Sequence, residues 1–485
     1  MVEGDGKKKH NFRTVLVSFA VYLESDQRKC KNMQDFFNTG IILLWPFLCC
    51  LLYIRLETVT ATFISIVAGF LLLPVRVSFD LPLIPDIDKN FSSFIAVVLG
   101  IVVVKRQSFN WFGNDRVIRG LIVFLFIITF INYIVNQQAL FNGEYWIAGL
   151  TLHEAVNACM RNYLAIFPLI IALNVIRTEH DVVKLQKMLV IALVLYFPLV
   201  LIELVMSPQL HRLLYGFHPH SFEQQIRGGG FRAMVFTGHG LVTANIYLGG
   251  FIALLILFKI KRYIISKSYT LILIAAFSIA LIFLRSLTAV VFAALALIIL
   301  YGLGNRIRGL AVKGIFLFAI VYPVIITLNL LPLDYLYDTL QQIFPAERLE
   351  SLFFRLFNES LFIDYLDRNL LIGYGGMGRA MLSGGVVDGT WLVWVMRYGI
   401  IFWIVNVFIY SIYLYRVKAR SKTIIWIFSV LPMLMLLDQL PNSTWKNPWV
   451  WLYAGALIRL CTIYSQSEKF LVSKESRVLQ VHCSN

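Results

Sequence analysis

The chain has 485 residues, 59% of them hydrophobic, with a mean hydropathy of +0.75, far more apolar surface than a soluble domain can hide. Its formal charge of +16 would suggest nucleic acid in a soluble protein. In a membrane protein it reflects the Lys and Arg that collect in cytosolic loops, so nucleic acid is not an expected partner. The roughly 10-residue alternating segments of a transmembrane β-barrel are absent.

Taken in chain order, Lys7, Lys8 and Lys9 precede a mostly apolar stretch, Thr14 to Leu23. It is too short for a span and no small-residue cleavage site follows, so no signal peptide is expected. Apolar runs then recur at 38–54, 57–75, 91–104, 117–135, 161–176, 185–206, 240–258, 269–284, 287–303, 310–330, 391–415, 423–439 and 447–464. Most are long enough to cross the roughly 30 Å hydrocarbon core as helices. The fold class is therefore all-α: a polytopic membrane protein with about 12 transmembrane helices, plus or minus one, and a large helical loop outside the bilayer. The expected divisions are a cytosolic, amphipathic N-terminus (1–37) and a transmembrane bundle (38–330) with an outer loop at 207–239. A large outer loop (331–390), C-terminal spans (391–464) and a cytosolic tail (465–485) complete the chain.

From the fourth span onward, charge fixes orientation. Lys105, Lys184, Lys259, Lys313 and Lys418, with their basic neighbours, all fall on one side, which the positive-inside rule makes the cytosol. The segments 136–160, 207–239, 331–390 and 440–446 then lie outside. The start of the chain does not fit this alternation. A basic cytosolic N-terminus needs an even number of spans before Lys105, and three are counted. Either 38–75 does not cross twice, or residues 12–24 insert as well.

The two long outer loops use arginine as their only strong cation, whereas the inner loops are rich in lysine. A planar guanidinium is the better fork for phosphate oxygens. Residues 207–239 contain Arg227-Gly-Gly-Gly-Phe-Arg232 and then Gly238 and His239. Glycines let the backbone approach a ligand and the flanking arginines would grip its phosphates, or the segment is a flexible loop with headgroup-facing arginines. Residues 331–390 are amphipathic and carry Arg348, Arg355, Arg368 and Arg379. Arg355 precedes Gly373 by eighteen positions, with Gly375 next in the turn. The competing reading pairs Arg355 with Glu359 at i, i+4 and leaves Arg368 and Arg379 on the surface or in ion pairs. Asp388, just before a span, is a candidate base, or else a helix N-cap. Arg285 and Arg161, at outer ends of spans, are weaker phosphate-binding candidates against simple snorkelling.

Three signals are discounted. Gly373–Gly378 fits G-x-G-x-x-G but no strand or βαβ unit surrounds it. His211, His218, His220 and His239 lack metal-ligand spacing, and the six cysteines show none either, so no metal site and no cofactor are expected. His239 alone is kept as a site residue. No Walker A pattern appears.

This arrangement resembles the O-antigen polymerase/ligase superfamily. The family's outer-face loop carries an arginine about eighteen residues before a G-x-G turn, then a His or Asp before a span with a glycine eleven residues later. Arg355, Gly373, Gly375, Asp388 and Gly399 look like that series, and Arg227 with Gly238 fits an earlier R-x10-G spacing. The resemblance covers roughly 220–415. Ligases typically show His-Asn where this chain has Asp388-Gly389, which favours a polymerase, and the usual proline before the turn is missing. The resemblance implies a multi-pass protein of the bacterial inner membrane with a periplasmic active site. It would be an inverting, metal-independent glycosyltransferase acting on undecaprenyl-pyrophosphate-linked oligosaccharide. Arg227, Arg355 and Asp388 would be catalytic. Arg232, Arg285, Arg348, His239, Arg161, Gly373 and Gly375 would bind substrate. Polymerases of this kind usually work beside a chain-length regulator protein, and membrane lipids are further expected partners. The alternatives are an O-antigen ligase and, from another class, a lipid-linked oligosaccharide flippase or a structural scaffold.

Overall fold

The computed structural model describes residues 33–81, 84–141, 144–227, 229–328, 330, 333–342, 353, 355–356, 359, 362, 369–376, 378–379, 387–417, 422–443 and 447–482. It is a helical bundle with three two-stranded hairpins in its connections. Six helices are long and apolar enough to cross a membrane: α1 (Met33–Arg55), α4 (Arg116–Val135), α5 (Leu152–Val175), α6 (Glu179–Met206), α8 (Gly240–Lys259) and α11 (Asn305–Thr327). Shorter apolar helices include α2 (Thr58–Leu72), α3 (Lys89–Leu99, extended by a π turn to Val104), α9 (Lys267–Phe283) and α10 (Leu287–Leu297). Short α7 (Leu210–Tyr215) and α12 (Leu333–Leu340) lie in connections.

Helix α8 is the axis of the bundle. Its apolar stretch is 83% buried, and it packs against α6, α9 and α10. Two adjacent small residues allow that crowding: Gly249 lies against Trp449, and Gly250 against Leu193 and Phe277. Outer helices show bilayer-type faces instead, as in α1, where Phe36, Phe47, Leu51 and Ile54 are exposed.

Side-chain contacts sort the connections into two ends. At one end Lys184 pairs with Glu57 and Arg416 with Asp115. Asn110 and Asn174 exchange hydrogen bonds, Arg459 donates to the Ile176 carbonyl, and Asn305 donates to Thr423. These contacts gather the basic connections. At the opposite end Gln34 and Asn38 donate to the Leu214 and Tyr215 carbonyls, and Tyr215 Oη donates to Leu72. Lys89 Nζ donates to Phe70 and Phe236. The charge grouping read from sequence thus has a geometric counterpart.

The same contacts resolve the parity question in part. Helix α1 starts beside Tyr215, α2 starts beside Lys184, and α2 ends beside Tyr215 again. Residues 38–75 therefore traverse the bundle twice. Residues 33–37, expected in the segment before the first span, belong to α1 and lie at the end opposite the basic connections. Residues 1–32, with the stretch 12–24, lie outside the described residues.

The predicted span 391–415 is also corrected. It is two helices, α13 (Thr390–Tyr398) and α14 (Ile400–Ser411, continued by a 3-10 turn to Tyr415), joined at Gly399 with φ +85°. Both ends of α13 touch elements of the same end of the bundle, whereas Tyr415 leads to Arg416 at the basic end. Helix α13 thus lies across the bundle, and α14 descends from it. Two further helices, α15 (Lys422–Phe428) and α16 (Val430–Asp438), fill 423–439. The last, α17 (Pro448–His482), continues well past 464, so the 465–485 tail begins as helix.

Candidate functional site

At the end opposite the basic connections, two of the polar groups meet the N-terminal turns of α8. The first constellation joins Arg355 and Asp388, 33 positions apart. Arg355 Nε lies 3.3 Å from Asp388 Oδ2, and its Nη1 donates to Asn442 Oδ1 at 3.0 Å. The arginine side chain is 18% exposed and the carboxylate 43%, so the pair opens to solvent on the aspartate side. Asp388 is not the cap of α13: that position is Gly389, with no side-chain cap bond. Asp388 thus does not cap the helix, and Glu359 takes its hydrogen bonds from Tyr322 and Trp391 while feeling the charge of Arg355 without a contact ion pair.

A buried polar chain supports this pair. Asn442 donates to Asp438 Oδ1 at 2.8 Å, Asn245 of α8 donates to Asp438 Oδ2 at 2.8 Å, and Asn447 donates to Asn245. Thr390 donates from Oγ1 to Gln439 Oε1 and from its amide to the Gln439 carbonyl. Polar side chains so placed at the edge of apolar helices are costly unless mutually satisfied. Their effect here is to fix the rotamer of Arg355. Sequence reasoning passed over Asn245, Asp438, Asn442 and Asn447. The cue was present: the run Asp438-Gln-Leu-Pro-Asn442 interrupts an apolar stretch with three polar side chains.

Glu359 sits behind the pair. It is 4% exposed, and its oxygens accept from Tyr322 Oη at 2.9 Å and Trp391 Nε1 at 3.1 Å. Burial pushes its carboxyl up to about 7, against the opposing effect of those two donors.

The second constellation is the arginine–glycine loop. A hairpin pairs Ile226–Arg227 with Gly230–Phe231; the Arg227 side chain lies outside the described residues. Arg232 is buried and lies along the first turn of α8, where a Cβ on Gly240 would strike it. Its Nη2 donates to the Arg285 carbonyl at 3.0 Å. The Arg285 guanidinium in turn packs on Gly230, where an added Cβ would displace it. Arg285 holds φ +54°, a conformation rarely adopted by a non-glycine residue. The loop is pinned from beneath: Glu203, 1% exposed, accepts from the Met234 and Val235 amides, and Tyr196 Oη from Phe236. His239 caps α8, its Nδ1 accepting from Leu241, and its ring meets His220 edge to face at 4.6 Å. Burial and the charge of Arg76 both hold His220 below its ordinary value. His211 is structural: Nδ1 donates to Phe217, Nε2 accepts from Val75, and burial lowers it to about 4. Among the described residues no three His, Cys, Asp or Glu side chains group as metal ligands.

The third constellation is a polar cavity of about 380 Å³ lined by Arg76, Asp86, Asp88, Asn90, Arg161 and Pro448, among others. It is where Arg161 lies, exposed, rather than beside Arg355.

Gly373 and Gly375 do not join these groups. With φ +77° and +90° they form a turn docked into the corner at Gly399. Tyr374 and Gly375 amides donate to Met396 and Arg397, and Ile400 donates to Leu370. A Cβ on Gly373 would lie 2.6 Å from the backbone of residues 397–399, and one on Gly399 would strike the Leu371 carbonyl. Asn132 and Asn136 of α4 donate to the Gly373 carbonyl. The glycines are explained by this backbone packing. The nine residues of α13 separate them from Asp388 by about 13 Å at 1.5 Å per residue. Arg379 is corrected too. It is 5% exposed and donates to the carbonyls of Tyr374, Gln138 and Ala148, tying the 136–150 connection to the turn. Arg348 and Arg368 lie outside the described residues.

Comparison with protein-family models, curated proteins and solved structures gives no match.

Proposed function

We propose that this protein is a membrane glycosyltransferase that polymerises undecaprenyl-pyrophosphate-linked oligosaccharide repeat units into a surface polysaccharide. In this reading the chain makes about 12 crossings of a bacterial inner membrane, and the end bearing Arg355 faces the periplasm. The observation that carries the reading is the Arg355–Asp388 pair, open to solvent and seated on a buried amide–carboxylate chain that reaches Asn245 of α8.

The chemistry follows from the geometry. A pyrophosphate arriving at Arg355 competes with Asp388 for the guanidinium and releases the carboxylate. Guanidiniums stabilise the charge that grows on the leaving diphosphate as its bond to the anomeric carbon breaks. A hydroxyl of a second lipid-linked unit forms the new glycosidic bond from the opposite face, and its proton passes to Asp388. The stereochemical result is inversion. Arg232 and Arg285 lie at the same helix end and extend the anionic footprint, with Arg227 and Arg348 as further members. A flippase reading is disfavoured by α8, whose buried stretch Gly240–Leu257 carries no ionisable side chain but Tyr247.

The test is elongation of lipid-linked repeat units by the purified protein. Arg355→Ala and Arg227→Ala should abolish laddered product, and wild-type rates from both would reject the site. Deleting the gene separates polymerase from ligase. A polymerase mutant leaves single repeat units capping its lipid core, and a ligase mutant leaves none.

A further inference from the structure

The polar cavity that holds Arg161 does not end in solvent. It shares Phe91, Phe94 and Leu164 with an apolar groove of about 580 Å³ running between α3, α4 and α5. The groove follows α3 from Phe91 to Leu99, about 12 Å at 1.5 Å per residue. Its walls are aromatic: Phe94 and Phe167 lie 5.7 Å apart, Tyr163 and Phe167 5.4 Å. Its far end meets the 105–115 connection, where Trp111 stacks on Phe167 and the Trp111 carbonyl accepts from Tyr163. Its flank is open, because Phe130 and Val156 are each 39% exposed on the outside of the bundle. At the mouth Arg76, held at φ +58°, and Arg161 are both exposed. Two carboxylates share the mouth: Asp88 is committed to capping α3, where it accepts from the Asn90 and Phe91 amides, and Asp86, exposed, accepts from Ser78 at 3.5 Å.

We propose that this groove holds the first isoprene units of a polyprenyl phosphate or diphosphate, with its phosphate between Arg76 and Arg161; a trough about 12 Å long seats about two or three such units, and the rest of the chain leaves through the open flank. The groove is a single trough with one polar mouth and an open flank, which suits a single-chain amphiphile whose chain runs on into the bilayer. Two guanidiniums at the mouth complement an anionic head, and the volume lies in the range of built ligand sites. The identity of the chain as a polyprenyl rests on the glycosyltransferase reading above. The groove is a site apart from Arg355, so it suits a second lipid-linked substrate, held while the first reacts.

The test uses the full-length protein in detergent, with bound lipid read by native mass spectrometry. The probes are undecaprenyl phosphate, phosphatidylglycerol and inorganic phosphate. Wild type should retain undecaprenyl phosphate in preference to the other two. Val156→Trp, which fills the groove, should lower that retention at least tenfold at unchanged melting temperature. Arg76→Gln with Arg161→Gln should lower it by a similar factor. Should Val156→Trp fail to fold, Val98→Trp on the opposite wall carries the same expectation. Undiminished retention in a folded groove-filled variant overturns the proposal. So does phosphatidylglycerol binding that is equally strong and equally sensitive to Val156→Trp. Arg355→Ala separates the two ideas, since it should lose elongation and keep lipid retention. Groove-dependent retention without elongation by wild type would reject the glycosyltransferase and leave the groove standing. Elongation that requires Arg355 but ignores a filled groove would do the reverse.

Discussion

Replacing Asp388 by Asn separates a structural from a chemical role for that carboxylate. The side chain is 43% exposed and lies 3.3 Å from Arg355 Nε. A pair this open to water contributes about 0.2–1 kcal/mol to stability, and the amide oxygen of Asn can still accept from the guanidinium. Arg355 also keeps its bond to Asn442. The variant should therefore melt within a few degrees of wild type. A general base supplies about 10²–10⁴-fold in rate, equivalent to about 2.7–5.4 kcal/mol of barrier. Single-turnover elongation in nanodiscs, under saturating lipid-linked substrate, should accordingly fall by at least a hundredfold. A loss below tenfold would remove Asp388 from the proton-accepting role. A large loss accompanied by a stability drop above about 2 kcal/mol would mean that the pair holds the site together and that the chemistry lies elsewhere.

Glu359 should make stability depend on pH. Its folded carboxyl titrates near 7 and an unfolded one near 4.5. The proton-bound form stabilises the fold fully below about 4.5, and that contribution fades as pH rises through 7. Melting of Glu359→Gln, which cannot ionise, should be flatter over pH 5–8 than melting of wild type, and identical slopes would refute the assignment. His211 works with the opposite sign. Its folded value of about 4 lies below that of a free imidazole, so stability is present above 6.5 and lost as pH falls toward 4. His211→Gln should reduce that acid sensitivity in the same melting series. Gly399→Ala should cost several kcal/mol, because φ is +85° and the new methyl meets the Leu371 carbonyl; expression and thermal unfolding would show it. Arg379→Met should raise amide hydrogen exchange in residues 138–148, whose carbonyls it holds, and leave exchange around Asn245 unchanged.

Much of this arrangement could be read from the chain before its structure, and the omissions have physical causes. Hydropathy reports how apolar a segment is and says nothing of its direction. Residues 391–415 therefore read as one span, although Gly399 divides them into a transverse and a descending helix. The arginine asymmetry between the two ends was legible because charge controls topology locally. The support beneath Arg355 was not. Asn245, Asp438 and Asn442 are isolated polar residues, and only the crossing of α8 with α16 brings them within hydrogen-bond reach. Gly373 and Gly375 were visible as special positions, but a positive φ does not say whether a ligand or a neighbouring backbone demands it. Arg379 read as a surface residue because two of its three acceptors are carbonyls more than 200 positions away, which no local pattern encodes.

The start of α8 and the residues leading into it touch three separate polar groups: Asn245 reaches the Arg355 chain, Gly240 carries Arg232, and Gly238, just before the cap, abuts Val75 beside Arg76. One helix end is thus a keystone shared by two candidate phosphate grips and the mouth of a lipid groove. Substitutions in different groups should then combine non-additively, despite their wide separation along the chain. A double-mutant cycle between Asn245 and Arg285 would register the leverage that this common footing transmits.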